Sequence, residues 1–120
     1  MGKNYPRFKR GTHLIAEFEA SINLDNHTDY LKVILEILTD VGITVIDESH
    51  HIFENGSFTS TILLAESHIN IHTWPEYQTI YFDIFVCNFS RDNSDTVSII
   101  YEKTKAFFEA KNDNVTLLKR

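Results

Sequence analysis

Ser67, His68, His72 and Cys87 are the side chains of this 120-residue chain best suited to chemistry, and Glu66 and Glu76 bracket most of them. The segment 64–77 reads Leu-Ala-Glu-Ser-His-Ile-Asn-Ile-His-Thr-Trp-Pro-Glu-Tyr. It carries a hydroxyl nucleophile, two imidazoles, two carboxylates and an indole in a stretch that otherwise reads as a buried strand. Each polar group taken from water needs a partner, so core filling alone does not account for this composition. A serine hydroxyl is a weak nucleophile until a neighbour takes its proton and donors stabilise the oxyanion. An imidazole with an ordinary pKa of about 6.5 exchanges protons at neutral pH. A thiol near pKa ~8.5 is a competent proton donor there. Taken singly, each has a plainer reading: Ser67 as the start of a strand, and Cys87 as a small buried hydrophobe.

His68 and His72 have the spacing of a metal pair on a helix. Pro75 and the β-branched neighbours favour a strand instead, where four steps of about 3.3 Å separate the two by roughly 13 Å. No metal is therefore expected. His50 and His51 read as ordinary strand or loop residues, with His51 the one placed to reach a cavity.

The elements that must position these groups follow from periodicity. Thr12 to Ala20 alternates, with Leu14, Ala16, Phe18 and Ala20 on one face, and predicts a first strand. Leu31, Ile34, Leu38 and Val41 recur at helical spacing from His27 to Val41; Asn26 or Thr28 can cap the start and Gly42 the end. Ile43 to Phe53 returns to β-branched residues, and Glu54-Asn55-Gly56-Ser57 is a turn signal before a strand from Phe58 to Ala65. His68 to Trp74, a Pro75-Glu76 turn and Gln78 to Cys87 make a further hairpin. Asp92 to Asp95 opens a second helix with the stripe Val97, Ile100, Tyr101, Thr104 and Phe108, and Val115 to Leu118 adds a short edge strand. This order predicts an α+β domain over 1–120: an antiparallel sheet with both helices on one face.

The two faces of that sheet differ. Ile69, Ile71, Ile80, Phe82, Ile84 and Val86 share one parity and suit packing beneath helices. The other parity carries His68, Asn70, His72, Tyr81, Asp83, Phe85 and Cys87, where a simply solvated face would show Lys, Glu and Thr. Burial against a second subunit explains the mixture, giving a homodimer of four layers, helix–sheet–sheet–helix.

Composition narrows the partners. Eleven basic against seventeen acidic residues give a net charge of −6, which argues against nucleic acid or an anionic membrane. Lys3, Arg7, Lys9 and Arg10 read as a solvated tail. The single cysteine excludes an intrachain disulfide and fits a reducing cytoplasm. No apolar run is long enough to span a bilayer, and no signal-peptide core is evident. There is no internal repeat or low-complexity tract.

The run Gly11-Thr12-His13-Leu14-Ile15-Ala16-Glu17-Phe18, the segment from Glu66 to Glu76, and Asp83-Ile84-Phe85-Val86-Cys87 together resemble the small microbial S-adenosylmethionine decarboxylases. These are enzymes that make a pyruvoyl cofactor by cutting their own backbone. The resemblance implies cleavage between Glu66 and Ser67, giving a β chain of residues 1–66 and an α chain of residues 67–120. Ser67 Oγ would attack the Glu66 carbonyl and turn the amide into an ester. Loss of the Ser67 α-proton would then eliminate the Glu66 carboxylate, and the dehydroalanine would hydrolyse to pyruvoyl and ammonia. The ketone would hold the substrate α-amine as a Schiff base and accept electrons as carbon dioxide leaves. The resemblance further implies that His72 is the processing acid/base and that Cys87 returns a proton to the α-carbon. Glu76 would bind the ribose hydroxyls and Phe53 would stack on adenine, with a place in the core as the plainer reading of Phe53. His13 and Glu17 fall within the matched run as site assistants or structural residues. Where the family has a processing serine, this chain has the bulkier Thr59, with Ser60 beside it as a second hydroxyl; slow or partial cleavage is the corresponding expectation.

Ser67 and His72 are five residues apart, so alternation puts them on opposite faces of one strand. A bulge at the scissile bond relieves this, or His72 serves the partner's Ser67. The resemblance implies the second: two shared sites per dimer, Ser67 and Cys87 from one chain, His72 and Glu76 from the other. Two further readings stay open. One is a pyruvoyl decarboxylase acting on arginine or ornithine. The other is a relative that binds a ligand or partner without processing.

Overall fold

Strand alternation and two amphipathic stripes account for the architecture of the chain, a computed structural model that describes residues 11–87 and 93–120. In order the elements are β1 (Gly11–Glu19), α1 (His27–Asp40), β2 (Val45–Ile52), β3 (Phe58–Leu64), β4 (Ser67–Trp74), a 3₁₀ turn at Pro75–Tyr77, β5 (Thr79–Cys87), α2 (Ser94–Phe108) and β6 (Lys111–Lys119). The six strands lie in the order β2-β3-β4-β5-β1-β6, and every neighbouring pair is antiparallel. The expected α+β fold is what is observed. The basic residues Lys3 to Arg10 lie outside the described residues, as does Asp92 at the expected start of the second helix.

The core forms on the face that parity selects. Ile69 pairs with Ile84 and Ile71 with Phe82, and all four are buried, joined by Phe18, Phe58 and Ile80. Above them α2 presents Val97, Ile100, Tyr101, Thr104 and Phe108, the full stripe read from periodicity. Tyr101 stacks on Phe82 with ring centroids 5.9 Å apart. Helix α1 is capped by Asn26 and not Thr28, the Asn26 side chain accepting from the Asp29 amide at 3.1 Å. It ends as Gly42 takes a φ of +77°, which lets the Ile43 amide reach the Leu38 carbonyl at 2.9 Å.

The last strand departs from expectation. It runs nine residues and not four, and every one of them is exposed. Periodicity marked only the apolar stretch from Val115 to Leu118. Of the flanking residues, Lys111 and Asn114 pair with Glu19 and Glu17 of β1 on either side of an irregularity at Asn112 and Asp113, a backbone contact that asks nothing of side-chain polarity. Asp113 joins this edge to α2 by accepting from Tyr101 Oη and Lys105 Nζ, each at 3.0 Å.

Hydrogen bonds from Lys105 and then Tyr101 hold the Asp113 carboxyl below its ordinary value of 3.8. A depressed carboxylate stabilises the fold fully above its unfolded-state pKa, and the contribution disappears as pH falls through the lower folded value. Asp113→Asn should therefore lower stability at neutral pH and flatten the loss of stability on acidification. The effect should be modest, since the pair is partly solvated. Urea unfolding of both proteins from neutral to strongly acidic pH checks it.

Candidate active site

Strand β4 begins at the candidate nucleophile and ends beside a cavity. Leu64 pairs with Ser67, so Ala65 and Glu66 alone form the loop of the β3–β4 hairpin. Glu66 turns the chain with a φ of +59°, a left-handed conformation that suits glycine and costs an L-residue roughly 1–2 kcal/mol. Ser67 follows on the buried parity with 9% of its surface exposed, and its Oγ accepts from the Cys87 amide at 3.0 Å. The Cys87 thiol lies 4.0 Å from Glu66 Oε2. Glu66, Ser67 and Cys87 thus meet at one rim of the sheet.

His72 sits toward the other end of β4 and on the open face. Five strand steps of about 3.3 Å put it roughly 16 Å from Ser67 along the chain. Its Nδ1 meets Thr59 Oγ1 at 3.1 Å, a contact set by the register that pairs these two residues. Ser60, one residue on, points to the helix side, is 1% exposed, and meets His50 Nδ1 at 2.8 Å. Ser60 and Thr59 are therefore separated by the sheet. A cavity of about 650 Å³ opens beside His72, lined by Phe53, Glu54, Asn55, Ser57, Thr59, Thr73, Trp74 and Glu76. Phe53 is half-exposed on its wall and is not a core residue. His51 packs on Phe53, ring centroids 4.5 Å apart, but does not line the cavity. A smaller hollow of about 270 Å³ on the open face also includes His72, with Glu17, Tyr81 and Asp83.

One chain thus holds two half-sites, one with Ser67 and Cys87 and one with His72, Glu76 and Phe53. It does not bring them together. Other contacts were not anticipated from the sequence. Asp83 Oδ2 lies 3.0 Å from His13 Nε2 and 3.2 Å from His68 Nε2, while Oδ1 accepts from Asn70 at 3.2 Å. Their shared parity was the available signal. His50 bridges Ser60 and Glu48, and its Nε2 is 2.9 Å from the carboxylate. Beside it, burial and then the His50 imidazole lower the pKa of His27.

A sequence profile of the S-adenosylmethionine decarboxylase family matches residues 12–120, nearly the whole chain. The chain belongs to that family. A protein of Clostridium botulinum (strain Loch Maree / Type A3) named S-adenosylmethionine decarboxylase proenzyme is 33% identical over 94 residues, covering 77% of this chain and 81% of its own. One of the same name from Clostridium kluyveri (strain ATCC 8527) is 30% identical over 112 residues, covering 92% and 86%. The crystal structure of the adenosylmethionine decarboxylase from Aquifex aeolicus VF5 superposes with a TM-score of 0.80 over 94% of this chain and 92% of that one. At 21% identity that likeness speaks for the fold alone. Family membership selects S-adenosylmethionine over arginine or ornithine.

The cavity wall rests on Thr73, whose buried hydroxyl donates to the Leu24 carbonyl at 2.7 Å and accepts from the Phe58 amide at 3.0 Å. Thr73→Val keeps the shape and strands both partners, so stability should fall by about 2 kcal/mol. Urea denaturation of the otherwise unchanged chain measures this.

Proposed function

We propose that the chain is a proenzyme that cleaves itself between Glu66 and Ser67 and then decarboxylates S-adenosylmethionine. The observation that carries the reading is the left-handed Glu66 immediately before Ser67. A glutamate in a glycine's conformation loads strain onto the linkage whose carbonyl Ser67 Oγ would attack. Attack forms the C–O bond, breaks the C–N bond and frees the Ser67 amine. Abstraction of the Ser67 α-proton expels residues 1–66 as a carboxylate, and water replaces nitrogen as ammonia leaves.

The residues at this rim fit a pyruvoyl group derived from Ser67. The Cys87 amide already donates to the Ser67 oxygen, and the Cys87 thiol lies near the adjacent residue. The group supplies an electron sink for the carboxylate's departure. Cys87 holds the proton destined for the substrate α-carbon. In the half-site around the larger cavity, Glu76 accepts from ribose hydroxyls and Phe53 offers an aromatic face to adenine. Thr59 orients the His72 ring through Nδ1, which leaves Nε2 to move protons during cleavage.

A homodimer completes the site. The open face of the sheet exposes Ile15, Leu63, Trp74, Tyr81 and Leu118 along with its histidines, more apolar surface than a face meant for water needs. Stacking two such faces buries it and lets the His72 half-site of one chain serve the Ser67 rim of the other. Function in the cytoplasm accords with this reading, and no described helix is long and apolar enough to cross a membrane.

Mass spectrometry of the purified chain should show two fragments divided at 66/67, and Ser67→Ala should remain whole and inactive. An uncut, fully active wild type would overturn the proposal. Release of labelled carbon dioxide from S-adenosylmethionine should persist in Glu76→Gln and Phe53→Ala with KM raised at least about tenfold. Sharing is read separately by co-expression. A Ser67→Ala chain mixed with a His72→Ala chain should cleave the latter, which neither achieves alone. No cleavage in the mixture places both half-sites in one chain.

A further inference from the structure

The group formed by His13, Asp83 and His68 lies on the open face, with Asp83 in the hollow that includes His72 and His68 next in sequence to Ser67, and no step of the reaction just described is assigned to it. Three neighbouring strands contribute to it. His13 of β1 and His68 of β4 both stand opposite Phe85 of β5, forming a row across the sheet. Asp83 lies one same-face step along β5, diagonal to both histidines. Phe85 sets the two imidazoles, meeting His13 edge-on at 5.7 Å and stacking with His68 at 6.0 Å between centroids. Both Nε2 atoms converge on Asp83 Oδ2, and one ligand atom from each of the three residues lies within 4.8 Å of the other two.

We propose that His13, Asp83 and His68 bind a first-row divalent transition-metal ion. A tetrahedral ion with bonds of about 2.0–2.1 Å spaces its ligands about 3.3 Å apart. Two of the three separations, 3.0 and 3.2 Å, are already close to that, so only the edge between the imidazoles has to close. Two imidazoles and a carboxylate suit zinc, cobalt, nickel or copper better than magnesium or calcium. Asn70 donates to Asp83 Oδ1 and so leaves Oδ2 to the ion, the usual outer support of a metal-binding carboxylate. The side chains of His13, Asp83 and His68 are 15%, 26% and 37% exposed in a single chain, and the homodimer proposed above covers this face, so a bound ion lies between the two sheets.

Arg120 makes the assignment specific. Its Nη1 lies 3.2 Å from His13 Nδ1. A guanidinium only donates, so Nδ1 accepts and the ring proton sits on Nε2 in the free chain. Metal binding at Nε2 sends a proton to Nδ1 and breaks the Arg120 contact. Loss of Arg120 therefore favours the bound form.

Zinc is the probe, titrated into the full chain against a chromophoric chelator, with the visible absorption of bound cobalt reporting geometry. One equivalent should bind with a Kd of about 1 µM or tighter. Asp83→Asn and His68→Gln should each weaken it at least tenfold, Arg120→Ala should tighten it, and His51→Ala should leave it unchanged. Circular dichroism confirms that each variant is folded, and His68→Gln decides the matter should Asp83→Asn not fold. Equal affinity in wild type and His68→Gln, or no binding by wild type at about 100 µM zinc, overturns the site. The same titration in Ser67→Ala, which cannot process, should match wild type, so the result is independent of self-cleavage.

Discussion

Side-chain alternation along β4 is the constraint on which the rest of the molecule depends. With a period of two, Ile69, Ile71 and Thr73 enter the core while His68, Asn70, His72 and Trp74 face outward. Burial of the isoleucines between their cross-strand partners and the helices fixes the register, since a slip of one residue would exchange the two sets. The strength of the core is thus what aims the polar face. It also keeps Ser67 and His72 apart within one chain, because no bulge interrupts the pairing of β4 with β3 or β5.

The tight hairpin before β4 has a related logic. A two-residue loop must reverse the chain sharply, and the favoured solutions use residues at ease with positive φ. Here Glu66 takes that conformation while its neighbours are locked into ladders on either side. The surrounding sheet over-determines the turn, which is the circumstance in which local strain persists. Gly56 takes the corresponding φ of +88° at the β2–β3 turn without such strain, being glycine.

Much of this was legible in the sequence because burial leaves a periodic mark. The helix stripe from Val97 to Phe108, the cap at Gly42, and the split of β4 and β5 into apolar and polar faces follow from one-dimensional spacing. What spacing does not carry is register across strands. The convergence of His13 and His68 on Asp83 depends on Ile15 and Asn70 both standing opposite Asp83. The pairing of His50 with Ser60 depends likewise on the β2–β3 alignment. Spacing in sequence sets His68 beside His72, whereas its spatial neighbours Asp83 and His13 lie on other strands. The extent of β6 escaped for a different reason: an exposed edge leaves no hydrophobic signature.

The strand order carries one more consequence. Division of the polypeptide after residue 66 would assign β1, β2 and β3 to one piece and β4, β5 and β6 to the other. Those sets are interleaved: β1 is flanked by β5 and β6, and β3 borders β4. Three of the five ladders, β3–β4, β5–β1 and β1–β6, would then run between separate molecules. Nicking at that loop would leave the two pieces woven together, so a covalent break need not become a physical separation.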